Sequence, residues 1–271
     1  SSDLAAAPPL QETLDFAHGT AEAAGRAILP HFRAAIDVEN KDRAGGYDPV
    51  TVADRAAESV IRDAIRARFP THGLFGEEHG REAGSEAWTW VIDPIDGTKS
   101  FVLGQLHWGV LIALNDGTRP VLGVAYQPFV GEAFVGRAGG PSEWRRGDER
   151  RPLSTRRCAR HADALVVTTD PRFFAPPREA AAYAAVTEGA RFTRYGGDLY
   201  CYTQLAMGLV DIVIETGLKP YDIQALIPLI EGAGGVVTDW RGGDCQNGGD
   251  VLACGDPSLH AELLRRIAAR G

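Results

Sequence analysis

The densest chemical content of the chain lies in Trp90-Val91-Ile92-Asp93-Pro94-Ile95-Asp96-Gly97-Thr98-Lys99-Ser100-Phe101. Val91 and Ile92 are buried-strand residues, so Asp93 is expected at a strand's end, where side chains leave a sheet for an open crevice. Pro94 lacks a backbone donor and stiffens the exit, and Asp96 can then return its carboxylate beside that of Asp93. Gly97 permits close approach of a ligand to the backbone, and the Gly97 and Thr98 amides could form a small anion-binding nest. An Asp-Pro-x-Asp-Gly stretch is also built of turn formers, and taken alone the segment leaves both readings open.

Three further acidic segments shift that balance. They are Gly76-Glu77-Glu78-His79-Gly80, Tyr221-Asp222-Ile223 at the start of an apolar helical run, and Asp48-Pro49-Val50-Thr51-Val52-Ala53-Asp54 at the entry of a helix. Each has a plain structural reading: a solvated acidic loop for Glu77 and Glu78, a helix cap for Asp222, and a cap with an exposed first turn for Asp48 and Asp54. Together they supply hard oxygen ligands without a Cys or His set, the preference of Mg²⁺ rather than zinc.

The elements that must position these carboxylates follow from periodicity. Leu14, Phe16, Ala17, Ala21, Ala24 and Ile28 predict an amphipathic helix from about Leu10 to Phe32, with Pro30 as breaker. A Gly-rich loop follows, then a second helix ending before Pro70. GLFG, WTWVID, WGVLIALN, VLGVAYQP and EAFVGR read as consecutive strands of an antiparallel sheet flanked by the two helices. Beyond the polar segment around residue 155, strands and helices alternate, the pattern of an α/β half. Residues 1–155 are thus expected to form an N-terminal α+β half with the metal-binding motifs. Residues 156–271 would be a C-terminal α/β half completing the metal site and substrate pocket.

Composition bounds the partners. The 28 basic and 36 acidic residues of the 271-residue chain give a net charge of −8, which argues against nucleic acid or an anionic membrane as the main partner. No stretch reaches the roughly 18 apolar residues of a membrane helix. Cys158, Cys201, Cys245 and Cys254 are thinly spread with no CxxC pair, and the start lacks a secretory signal. A reduced, cytoplasmic setting is expected.

WVIDPIDGTKSF and YDIQALIPLIEGAGG, preceded in order by DPVTVAD and GEE, resemble the motifs of the inositol monophosphatase superfamily. These are Mg²⁺-dependent, lithium-sensitive phosphomonoesterases that also include fructose-1,6-bisphosphatase. The resemblance implies a layered αβαβα sandwich, a homodimer, and two or three Mg²⁺ per subunit. By resemblance, Glu77, Asp93 and the Ile95 carbonyl would hold one ion and Asp93, Asp96 and Asp222 a second, with a third, weaker ion near Glu77. Thr98, with Asp54 behind it and Glu77 nearby, would orient and deprotonate the attacking water. The Gly97 and Thr98 amides would receive the phosphate, and Lys41 matches the family's lysine before the DxVT segment.

Substrate choice falls to the second half. RYGGD, VDIVIE and KPYDIQALIPLIEGAGG resemble the histidinol-phosphate phosphatase branch. Histidinol phosphate carries an ammonium and an imidazole, with which Asp198 and Glu215 could pair. The plain reading of Asp198 is a cap of the helix starting at Leu199, and Glu215 lies where, by resemblance, inositol phosphatases bind a sugar hydroxyl. Arg194 could contact phosphate or ligand, or brace its loop. The resulting expectation is hydrolysis of histidinol phosphate in histidine biosynthesis. The alternatives are an inositol-1-monophosphatase or broad sugar phosphatase, and a non-enzymatic binding protein that retains the fold. His79 and His107 read as solvated loop residues, Trp88, Trp90 and Trp108 as core, Cys201 as packing, and residues 145–151 as a solvated hairpin or loop.

Overall fold

The computed structural model describes residues 8–35, 37–41 and 49–270. The Gly-rich loop of residues 42–48, with Asp48, and the Ala/Pro-rich start up to residue 7 lie outside the described residues.

Helix α1 (Leu10–Ile28) is followed by the short paired strands β1 (Val38–Asn40) and β2 (Pro49–Thr51) and by helix α2 (Val52–Arg68). Leu14, Ala17, Ala21, Ala24 and Ile28 recur at helical spacing and are all buried, as are Ala53, Ala57, Ile61 and Ile65 on α2. Pro30 supplies no N–H, and α1 gives way to a 3₁₀ turn over Leu29–His31.

Strands β3 (Gly73–Gly76), β4 (Gly80–Glu82), β5 (Thr89–Asp96), β6 (Gly109–Asn115), β7 (Pro120–Gln127), β8 (Glu132–Arg137), β9 (Glu143–Arg146) and β10 (Glu149–Pro152) make an eight-stranded sheet. Their order is β10-β9-β8-β7-β6-β5-β3-β4, and the pairs are antiparallel except β3 with β5. A short helix α3 (Thr98–Val102) sits between β5 and β6. The polar stretch 145–151 is a hairpin as expected, although Arg145 is buried through ion pairs with Asp15 and Glu143.

The remaining chain runs β11 (Leu165–Thr168), α4 (Pro177–Thr187), β12 (Phe192–Tyr195), α5 (Leu199–Ala206), β13 (Ile212–Leu218), α6 (Pro220–Ile223), α7 (Leu226–Gly232), β14 (Val236–Thr238), β15 (Gly249–Cys254) and α8 (Pro257–Ala268). Its five strands form a second sheet, β12-β11-β13-β15-β14. The sheet is mixed: β11 runs parallel to β12 and β13, whereas β15 is antiparallel to β13 and β14.

Strand alternation sorts the side chains into five layers. Trp90, Ile92, Val110, Ile112 and Leu114 face outward onto α1 and α2. Val91, Leu111 and Ala113 face inward onto α5 and α7, which meet Val213, Val251 and Ala253 of the second sheet on their other side. Ile212, Ile214, Leu252 and Cys254 face outward again, under α4 and α8. The result is the αβαβα sandwich implied by the resemblance.

The single helix expected to start near Asp222 is divided into α6 and α7. The break falls at Gln224 and Ala225, both committed to the large sheet: Gln224 Oε1 accepts from Asn115 Nδ2 at 3.0 Å, and the Ala225 carbonyl lies over Gly123. A Cβ at Gly123 would stand 1.8 Å from that oxygen. Gly123→Ala should therefore force α7 off the sheet. A cost of roughly 3 kcal/mol, seen as a fall of several degrees in the melting midpoint, is expected; an unchanged midpoint would show that the contact yields freely.

Candidate active site

Strand alternation puts Asp93 on the same inward face as Val91, and a register shift in the β5–β6 pairing between Asp93 and Asp96 brings a second carboxylate round. The turn is internally held: Asp93 Oδ1 accepts the Ile95 N–H at 3.0 Å, and Thr98 Oγ1 donates to the Ile95 carbonyl at 3.0 Å. Gly97 has φ +80°, and a Cβ there would meet the His107 carbonyl at 2.4 Å, so only glycine fits. Asp222 arrives from α6, with its Oδ2 accepting the Lys219 N–H at 2.7 Å. It thus sits inside the first turn, and Lys219 occupies the cap position expected for Asp222. Asp93, Asp96 and Asp222 each place a carboxylate oxygen within 4.8 Å of the others.

Glu77 lines the same cleft. Its loop is anchored, which corrects the solvated-loop reading. Glu58 is fully buried on α2 and accepts from the Glu78 N–H at 2.7 Å, the His79 N–H at 3.2 Å and Arg62 Nε at 2.7 Å. Arg62 in turn donates to the Gly80 carbonyl. Lys41 Nζ donates to Glu77 Oε1 and Glu78 Oε1, each at 2.7 Å. Asp54 is buried, not exposed: Thr51 Oγ1 and the Thr51 N–H donate to its Oδ2 at 2.6 and 2.8 Å, while its Oδ1 is buried without a partner among the described residues. Glu58 and Arg62 were missed in the sequence, although their i, i+4 spacing beside the apolar stripe of α2 marked charges turned toward the interior.

Thr169, Phe173, Asp198, Tyr202 and Glu215 also line the cleft, Asp198 standing beside Gly97, and the whole cleft encloses about 350 Å³. Asp198 makes no cap bond to α5; it accepts from Ser100 Oγ at 2.7 Å, a partner the sequence did not suggest. Asp96 takes the capping place, accepting the Leu199 N–H at 2.7 Å. Glu215 is fully buried; its Oε1 accepts the Thr169 N–H at 2.6 Å, and its Oε2 makes no close hydrogen bond among the described residues although the Thr168 and Thr169 hydroxyls stand near the carboxylate and favour its charged form. Arg194 stands exposed on the edge strand β12 and is not among the residues lining the cleft. His79 and His107 are exposed, and Trp90, Trp108 and Cys201 are buried, as expected. A wider groove of about 720 Å³ between α4 and α8, lined by Trp240, Arg178 and Leu264 among others, contains no carboxylate.

Crowding sets the electrostatics. Burial, followed by the charge of neighbouring carboxylates, holds Asp93 and Asp96 well above the usual carboxyl range. Burial lifts Glu77 to about 7 against the pull of Lys41, and lifts Asp54 to about 6 and Glu215 to about 8. Oxygen donors that repel one another at this spacing suit a hard divalent cation, whose charge removes the repulsion. The residues present fit such an ion, with Asp93, Asp96 and Asp222 able to hold it and Glu77 and the Ile95 carbonyl nearby.

Fold and cleft together define a layered α/β enzyme with a carboxylate site for metal ions. The family model described as the inositol monophosphatase family matches residues 9–270. The chain is 39% identical over 258 residues to the bifunctional phosphatase IMPL2, chloroplastic, of Arabidopsis thaliana, covering 91% of this chain and 72% of that protein. It is 33% identical over 261 residues to a histidinol-phosphatase of Chlorobaculum parvum, covering 96% of each. A solved inositol monophosphatase from Zymomonas mobilis superposes with a TM-score of 0.84 at 36% identity, covering 97% of this chain and 100% of that one. The chain belongs to the inositol monophosphatase family. It is a phosphatase of a metal-dependent class that acts on small phosphate esters, and no described helix is long and apolar enough to cross a membrane.

Proposed function

We propose that the enzyme hydrolyses L-histidinol phosphate to L-histidinol and phosphate, with Mg²⁺ as its metal and two or three ions per subunit. The observation that carries the substrate assignment is a pair of carboxylates lining the same cleft but outside the Asp93–Asp96–Asp222 cluster, Asp198 and Glu215. Inositol phosphate offers only hydroxyls there, whereas histidinol phosphate offers an ammonium and an imidazole, and charge-assisted hydrogen bonds in a partly dry cleft favour the latter. The kinship to a histidinol-phosphatase at 33% identity supports the same reading.

Divalent cations, when bound, neutralise the phosphate oxygens, acidify water and stabilise the leaving alkoxide. Asp93, Asp96, Asp222, Glu77 and the Ile95 carbonyl would hold them. The Gly97 and Thr98 amides receive the phosphate. Thr98 would orient the attacking water; its Oγ1 donates to the Ile95 carbonyl at 3.0 Å, so a proton passed through it to the unpartnered Asp54 Oδ1 requires the hydroxyl to turn from that carbonyl. Glu77, which lines the same cleft, would assist in that proton transfer when it is not holding an ion. Lys41 holds Glu77 and Glu78 and is not itself among the residues lining the cleft.

Glu215 would also suit a sugar hydroxyl, and the likeness to the Zymomonas mobilis inositol monophosphatase makes inositol-1-phosphate the second reading. Phosphate release from the two esters, compared side by side, decides between them. Histidinol phosphate is expected to be at least about tenfold better in kcat/KM, about 1.4 kcal/mol of barrier; equal rates would transfer the assignment to the second reading. Asp198→Ala should then raise KM for histidinol phosphate more than for inositol-1-phosphate, and an equal loss on both would make Asp198 a structural partner of Ser100.

A further inference from the structure

Tyr202 sits one turn into α5, its ring packed in the central layer and its residue only 3% exposed, yet it lines the catalytic cleft. Its hydroxyl is buried with no hydrogen-bond partner among the described residues. Glu215 lines the same cleft and is 1% exposed; its Oε2 makes no close hydrogen bond among the described residues, with the Thr168 and Thr169 hydroxyls near its carboxylate. An unmatched buried polar atom is costly, so an unbonded hydroxyl in a cleft beside an under-bonded carboxylate indicates a ligand group that satisfies both. They are complementary in kind. A phenol hydroxyl donates, the Glu215 carboxylate accepts once it has lost its proton, and the two are not bonded to each other.

We propose that Tyr202 is a specificity-determining residue. Its hydroxyl and Glu215 Oε2 together bind the non-phosphorylated end of the substrate through a group carrying both a hydrogen-bond acceptor and a donor. The Glu215 oxygen takes the ligand's N–H or O–H, and the Tyr202 O–H donates to a lone pair of the same group. A neutral imidazole, with one ring nitrogen protonated and the other not, meets this requirement, as does a hydroxyl. A bare ammonium, which has no lone pair, does not. Phe173, half-exposed in the cleft lining, carries the Lys99 ammonium over its ring at 5.4 Å. Sites built to hydrogen-bond a substrate group discriminate strongly against analogues lacking it, because the protein groups are then left unpaired.

This inference rests on the cleft being the substrate site but not on which ester is preferred, and the test separates the two. Wild type and Tyr202→Phe are assayed with Mg²⁺ on histidinol phosphate, on inositol-1-phosphate and on p-nitrophenyl phosphate, which lacks any donor at the far end. Wild-type ratios read the proposed substrate. The variant reads Tyr202: for whichever natural ester the wild type prefers, KM should rise about five- to tenfold with kcat changed by less than about threefold. The rise on p-nitrophenyl phosphate should be at least fivefold smaller. Combined with Glu215→Gln, the two losses should be clearly less than multiplicative, since each leaves the other's partner already lost. Tyr202→Met, similar in bulk and lacking the hydroxyl, carries the same expectation should the phenylalanine variant fold poorly. Equal effects on all three esters, a loss confined to kcat, or an unchanged KM would overturn the inference and leave Tyr202 a packing residue.

Discussion

Asp93→Asn should lose at least about a thousandfold in kcat/KM, about 4 kcal/mol of barrier, while remaining folded. Asp93 is the carboxylate nearest the centre of the cluster, buried and surrounded by Glu77, Asp96, Asp222 and Asp54. An amide at this position keeps an oxygen to accept the Ile95 N–H, so the turn that places Thr98 and Gly97 survives. It cannot supply the charge that a divalent cation needs. The same substitution removes one of the mutually repelling buried charges, so in chelator the variant should melt at or above the wild-type temperature. On adding Mg²⁺ it should gain much less than wild type. Turnover above about a tenth of wild type would remove Asp93 from the metal site, and a lower melting point in chelator would show the carboxylate to be structurally required.

The second large effect couples pH, metal and stability. Asp54, Glu77 and Glu215 have folded-state pKa values raised to about 6, about 7 and about 8, whereas in the unfolded chain they titrate near 4. Below about pH 4 both states hold these protons and nothing is gained or lost. Between about pH 4 and 8 the folded state retains protons that the unfolded state has released, so folding stability must fall as pH rises. In chelator the melting midpoint at pH 8 should therefore lie several degrees below that at pH 5.5, a difference on the order of a few kcal/mol. Mg²⁺ at a hundred times its dissociation constant adds about 2.7 kcal/mol and competes with protons for the carboxylates near it. Its rescue should thus be larger at pH 8 than at pH 5.5. A metal-free protein that grows more stable across this range would contradict the buried, crowded state of the carboxylates. Calorimetry at the two pH values, with and without Mg²⁺, reads both outcomes.

Much of this site was legible along the chain because its chemistry is concentrated in contiguous segments. A strand ending in Asp-Pro-x-Asp-Gly-Thr has few ways to fold, and strand alternation alone assigns Asp93 to the face opposite Trp90 and Ile92. The same local rules gave helices α1 and α2 their buried stripes and separated the two strand-rich regions. They failed where a side chain is claimed by a partner remote in sequence. Asp198 reads locally as the cap of α5, yet Ser100, 98 positions away, holds it, and Asp96, 103 positions away, caps the helix instead. Asp222 reads as the cap of one helix, yet the docking of Gln224 and Ala225 on the large sheet divides that helix and places Asp222 within its first turn.

What the sequence determined by itself was the donor chemistry: oxygen ligands in four ordered segments, with no thiol or imidazole set to compete for a softer metal. Only the tertiary structure decided which of them share a cleft. It gathers Asp93, Asp96 and Asp222 from strand and helix ends that meet between two sheets, leaves Arg194 on an outer edge, and turns Glu58 inward to hold the Glu77 loop. It also buries the Tyr202 hydroxyl, unpaired among the described residues, in the lining of the same cleft as Glu215. Spacing and residue type specify what a group can bond to, but burial and long-range packing specify whether that bond has already been made, and a site is where it has not.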